Sequence, residues 1–208
     1  MADIIVAGNT SGAITISAPL VAGSGVLTLP TGTDTLVGKA TTDTLTNKSI
    51  AATQLTGTIA ASALPAGSVL QVVNSSTATI ASNNTSTFVT TNLSASITPR
   101  SASSKILVLA NVVGVTKASS NTNVMLRLYR GASSIIGFED YAAHTSSVST
   151  NSVGSCSTTY LDSPATTSAT TYTVYFASAA NTGTAYVQNY YVTQANATST
   201  ITLMEIQG

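Results

Sequence analysis

Few residues in this 208-residue chain could support acid–base, nucleophilic or metal chemistry: one histidine, His144, one cysteine, Cys156, and seven carboxylates. Asp140 lies four residues before His144, and serines follow it, which are the residue types of a Ser/His/Asp hydrolase. That chemistry needs a nucleophile on a strained turn beside a base oriented by a carboxylate, and the sequence contains no GxSxG elbow. One His and one Cys cannot supply three or four convergent metal ligands within a single chain. Three copies of His144 meeting on a threefold axis are the one arrangement that would hold a cation. Cleaving a glycosidic bond usually takes two carboxyl groups about 5–9.5 Å apart. Among Asp3, Asp34, Asp43, Glu139, Asp140, Asp162 and Glu205, only Glu139 and Asp140 are close in sequence. As strand neighbours those two point to opposite sides. The expectation is a protein that is not an enzyme, with no catalytic residues, no cofactor and no metal.

The elements that would position any site must be built from an unusual composition. Charged residues make up 7% of the chain, against a usual quarter, while 43% is apolar. Disordered chains combine high charge with low hydrophobicity, so this chain must fold. Its polar surface comes from Ser and Thr, together roughly a third of the residues, and Thr and Val favour half-buried pleated surfaces. The seven basic residues are scattered from Lys39 to Arg130, without the grouped charge that phosphate binding draws on, which argues against nucleic acid as a partner. The opening MADIIVAGN has neither a basic start nor a long apolar core, so no signal peptide is expected. The most apolar stretch, Ile106 to Val115, is about half the length of a bilayer helix, so no membrane insertion is expected. A single cysteine excludes an intrachain disulfide and fits assembly in a reducing cytoplasm.

Two textures divide the chain. Residues 1–67 carry short apolar pairs such as Ile4/Val6, Ile14/Ile16 and Val26/Leu27/Leu29 between Gly, Pro, Thr and Asp, with no aromatic residue. This pattern predicts brief strands and turns, with no helix longer than a turn or two near Ala60 to Leu64. One copy has too little bulk for its own core, so an extended or intertwined attachment segment that shares its core between chains is expected. Residues 68–208 carry longer alternating segments. Strands are predicted at Val69–Val73, Thr87–Val89, Leu93–Ile97, Lys105–Val113, Val124–Arg130, Ile135–Phe138, Ser157–Leu161, Thr171–Ala177, Ala185–Tyr191 and Thr200–Ile206. Many short strands without helical periodicity between them indicate a β-sandwich or jelly roll.

The run GVLTLPTGTDTLVGKATTDTLTNKSI, residues 25–50, resembles the linker repeats of tailed-phage fibre proteins. LTGTIAASALPAG (55–67) resembles the joint that precedes a fibre head. GSVLQVV (67–73), ITPRSASSKILV (97–108), YLDSPATTSATTYTVYF (160–176) and STITLMEIQG (199–208) are similar to a C-terminal head domain of phage fibre and virion proteins. The resemblance implies a homotrimeric virion-surface protein, assembled in the host cytoplasm, with a jelly-roll-like head and an N-terminal segment held by capsid or tail proteins. The short chain disfavours a long tail fibre and leaves a capsid head fibre, a decoration (cement) protein or a short tail fibre, with a slight lean to the capsid surface.

Candidate contact residues follow from the alternation. In Thr171–Ala177, Tyr172, Val174 and Phe176 share one face while Thr173, Tyr175 and Ala177 take the other, so one face is expected in the subunit core and the other against a neighbouring subunit, with Tyr172, Tyr175, Phe176 and Tyr190 as the candidates for packing between subunits. Arg127 and Arg130 are expected at a rim, pairing with Glu139 or Asp140. The polar stretch Ala142 to Ser155 reads as a loop, and His144, Thr145, Ser146 and Ser147 within it are the candidates for contact with a host surface glycan. The triplets beginning at Asn74, Asn84 and Asn196 match a glycosylation pattern but read as polar loop positions.

Overall fold

The computed structural model describes residues 4–7, 13–16, 49–51, 53, 56–57, 59–180, 183–189 and 197–208. The chain divides into two compact units, Met1–Thr56 and Gly57–Gly208. In the first unit β1 (Ile4–Ala7) and β2 (Ala13–Ile16) pair antiparallel, with Ile4 opposite Ile16 and Val6 opposite Ile14. The apolar positions from Val26 to Leu45, and Leu55, lie outside the described residues.

The second unit is all-β apart from a 3-10 turn at Ala61–Ala63. Its strands are β3 (Val69–Thr77), β4 (Ala81–Asn83), β5 (Val89–Ile97), β6 (Lys105–Lys117), β7 (Thr122–Arg130), β8 (Ser133–Thr145), β9 (Asn151–Asp162), β10 (Thr170–Ser178), β11 (Ala185–Val187) and β12 (Ser199–Ile206). One sheet has the order β5-β10-β7-β8. In the other, β3-β12-β6 is flanked by β9 on the far edge of β6, while β11 and β4 extend the β12 side. Neighbouring strands are antiparallel throughout.

Alternation explains the core. Ile106, Val108, Ala110 and Val112 of β6 and Ile201 and Leu203 of β12 turn inward from one sheet. Leu93 and Ile97 of β5, Leu126 and Leu128 of β7, and Tyr172, Val174 and Phe176 of β10 meet them from the other. Both sheets contribute to one cluster, which makes the unit a β-sandwich. Full burial of each large side chain contributes about 1.5–3 kcal/mol, an upper figure because a real unfolded chain is already partly collapsed.

Several boundaries differ from the sequence expectation, for local reasons. Of the expected Thr87–Val89 strand only Val89 is in strand, and it runs on into Leu93–Ile97 as β5 through a bulge. Asn92 adopts φ 64° there, and the Thr91 hydroxyl donates to Val174 O at 2.8 Å. β8 and β9 are much longer than predicted, because their Ser, Thr and Gly positions pair across long registers with β7 and β6. Of the expected Ala185–Tyr191 strand, residues 185–189 are described, and the strand itself is Ala185–Val187, ending where Gln188 takes φ 57°. Asn74 sits within β3, where its amide donates to Thr202 Oγ1 at 2.8 Å, so it is a strand residue and not a loop position.

The two ends of the sandwich are distinct. Gly67 N donates to Gln207 O and Gln207 N donates to Ser68 O, both at 2.8 Å, so residues 67–68 and the C-terminus share the Lys105 end of β6. Lys117, the last of the thirteen residues of β6, closes the opposite end, roughly 40 Å away at strand rise.

Candidate functional site

The predicted recognition residues lie at the Lys117 end, but the loop is shorter than expected. Ala142 to Thr145 complete β8 and Asn151 begins β9, which leaves residues 146–150 as the connection. Ala143 has φ 60°, and the β7–β8 register slips between the Thr122–Thr145 and Val124–Ala142 pairs, so β8 bulges there. In a regular strand, positions 141 and 144 face opposite sides. With Ala142 and Ala143 both buried at the bulge, His144 returns to the side of Tyr141, and their rings meet at 4.9 Å between centroids and 51° between planes. Tyr141 is 69% exposed, and its backbone N–H donates to Glu139 Oε1 at 2.8 Å.

Beneath this aromatic pair lies a buried ammonium. Lys117 Nζ donates to Ser119 O at 3.0 Å, Thr145 O at 3.1 Å and Val148 O at 2.7 Å, and also to the Thr145 hydroxyl. The Thr145 hydroxyl in turn donates to Val148 O at 2.6 Å. The lysine has no accessible surface but is roofed by this thin loop, and desolvation lowers its pKa below the ordinary lysine value. With four neutral oxygens and no carboxylate bonded to it, the ammonium acts as an internal cation that ties 118–121 to 145–148. Thr145 is therefore a structural ligand of Lys117, while His144, Ser146 and Ser147 remain on the surface.

The predicted intersubunit rings separate. Tyr172 and Phe176 are fully buried inside the subunit, which corrects their assignment to a subunit interface: the inward face of β10 is occupied by the core. Tyr175, half-buried on the outer face, stacks on Tyr129 with centroids 4.2 Å apart, and the Arg127 guanidinium lies 4.2 Å from the Phe88 ring centroid. Tyr190 lies outside the described residues.

Arg130 pairs with Asp162 and not with Glu139 or Asp140. Its Nη1 reaches Oδ1 at 3.0 Å and Oδ2 at 2.8 Å, because Asp162 ends β9 near the position where Arg130 ends β7. The Tyr172 hydroxyl donates to Asp162 Oδ2 at 2.6 Å. Burial, then this bond to a carboxylate, raises the Tyr172 pKa above the ordinary tyrosine range. Burial, with Glu139 nearby, pushes the Cys156 thiol up to about 11, which leaves it a poor nucleophile at neutral pH. Among the described residues, no three His, Cys, Asp or Glu side chains gather into a metal-binding group.

The outer face of the β3-β12-β6-β9 sheet carries three uncharged rows. Val72, Met204, Leu107 and Leu161 are cross-strand neighbours in one; Asn74, Thr202, Leu109 and Thr159 form the next, and Ser76, Thr200, Asn111 and Ser157 the third. Val72 is 55% exposed and Leu161 49%. Sequence reading missed this face because its members come from four separate segments. It missed Lys117 because a single lysine after an apolar run looks like a strand end. No protein-family model matches the chain, and no curated protein sequence matches it.

Proposed function

We propose that the chain is a structural protein of a tailed-phage virion: a homotrimeric surface fibre or capsid decoration protein, anchored by its N-terminal segment and projecting a C-terminal jelly-roll head. Strand order supports the jelly-roll reading. Taking the eight long strands β3, β5, β6, β7, β8, β9, β10 and β12 in turn, the first pairs with the eighth, the second with the seventh, the third with the sixth and the fourth with the fifth. A long antiparallel ribbon rolled into two sheets gives that order.

The observation that carries the oligomeric reading is the apolar row Val72–Met204–Leu107–Leu161, exposed at Val72 and Leu161 and half-buried between them, on a face whose three rows hold no charge. Such a surface packs against a neighbouring copy of the chain without desolvating ions. Four strands by six residues span roughly 300–400 Å², about half of what each partner in a stable complex usually buries. The remainder falls to the aliphatic N-terminal segment, as its composition suggests. Sedimentation equilibrium of the full chain tests this: a trimer is expected, with dissociation favoured in Leu107→Asp, and a stable wild-type monomer would overturn it.

The exposed Tyr141–His144 pair, on a corner fixed by Lys117 and at the end away from residues 67–68, favours a second role as a receptor-binding head recognising host surface glycan. Tyrosine offers both a stacking face and a hydroxyl for that work.

A further inference from the structure

The Arg130–Asp162 pair leaves a guanidinium edge unused, beside a hollow of about 320 Å³ lined by Arg130, Gly131, Pro164, Thr166, Thr170 and Thr171, among others. From this geometry we infer a binding site for a carboxylate-bearing sugar, a hexuronate, at the Lys105 end of the sandwich.

Arg130 bonds Asp162 and Ser163 O through Nη1 alone, so Nε and Nη2 remain as the two-pronged fork that matches a second carboxylate. The pair is asymmetric: the Asp162 side chain is 8% exposed and that of Arg130 35%. The positive member is thus the one that solvent meets, while Tyr172 shares the load on the buried carboxylate.

The rest of the lining suits a sugar ring. Thr166 Oγ1 accepts from Ser168 N at 3.0 Å, which leaves its hydroxyl proton free to donate. Thr170 Oγ1 donates to Ser168 O at 3.1 Å, which leaves its lone pairs free to accept. Pro164 and Ala169 supply apolar contact for the C–H face of a pyranose. The volume is at the small end of ligand pockets, with room for about one ring. Backbone conformations seldom adopted by L residues border the hollow, since Ala165, between the lining residues Pro164 and Thr166, has φ 51°. Strain of this kind clusters at ligand clamps.

The test is a TROSY titration of the full chain with glucuronate, glucose and acetate. Saturable shifts of the Gly131, Thr166 and Thr171 amides with glucuronate are expected, with glucose and acetate each at least about tenfold weaker. Arg130→Lys, which keeps the charge beside Asp162 but removes the fork, is expected to weaken glucuronate at least about fivefold. Thr166→Val, away from the ion pair, gives a second reading and is also expected to weaken it. No saturable shift overturns the inference. So do equal responses to glucose or acetate, and so does unchanged affinity in a folded Arg130→Lys or Thr166→Val protein.

Discussion

Lys117 Nζ donates to Val148 O at 2.7 Å from a side chain with no accessible surface. The residues are thirty-one positions apart, and the bond fixes the corner that presents Tyr141 and His144. Replacing the lysine by methionine fills similar space but leaves Ser119 O, Thr145 O and Val148 O without this donor. Amides of residues 146–150 are expected to exchange with solvent about tenfold faster or more in Lys117→Met. Protection of the β6 and β12 core amides should change much less. Unaltered exchange in 146–150 would show that the ammonium does not hold the loop.

Glu205 gives the fold a defined acid response. Burial alone would raise its carboxyl pKa, but Gln71 Nε2 at 2.5 Å and Arg100 N at 2.6 Å donate to it and hold it below the ordinary value of 4.5. A depressed folded-state pKa contributes stability that is complete above the unfolded value and is lost as pH falls through the folded one. The urea midpoint of the wild type should therefore exceed that of Glu205→Gln near neutral pH, and the gap should narrow below about pH 4.5. A gap that stays constant down to strong acid would contradict this role.

Gly114 lies at φ 65°, and a Cβ there would stand 2.9 Å from Gln188 C and 3.0 Å from Asn189 C. Left-handed backbone and contact with main-chain atoms act together, so Gly114→Ala is expected to destabilise the protein by about 2–4 kcal/mol. Chemical denaturation measures it, and a loss under about 1 kcal/mol would show that the β11 end can move aside.

Tyr141 is largely solvent-exposed, so Tyr141→Ala is expected to change stability by no more than about 0.5 kcal/mol. If the receptor-binding role holds, the same substitution abolishes adsorption of the purified protein to host cells. Adsorption equal to wild type would remove Tyr141 from that role.

The sandwich was legible because alternation survives in single strands: Tyr172, Val174 and Phe176 on one face of β10 already indicated a core. What sequence could not show arises where alternation breaks or where distant segments meet. The bulge at Ala143 turns an odd spacing into a shared face for Tyr141 and His144, and no residue pattern announces a left-handed alanine. Asp162 was visible as an acid, but its partnership with Arg130 and Tyr172 depends on the ends of β7 and β9 meeting the start of β10. The polar stretch Ala142 to Ser155 was drawn too long as a loop, since β8 runs to Thr145 and β9 begins at Asn151, because Ser- and Thr-rich strands look like loops when charge is scarce.

The proposed role as an oligomeric component of a virion surface calls for direct observation of the chain on particles. Reconstruction of intact, purified phage particles labelled with an antibody fragment against residues 68–208 tests it most directly. The account predicts label on projecting, threefold-symmetric surface features, with the N-terminal segment against the particle. Purified particles that lack the chain, or that carry it as isolated single copies, would contradict it.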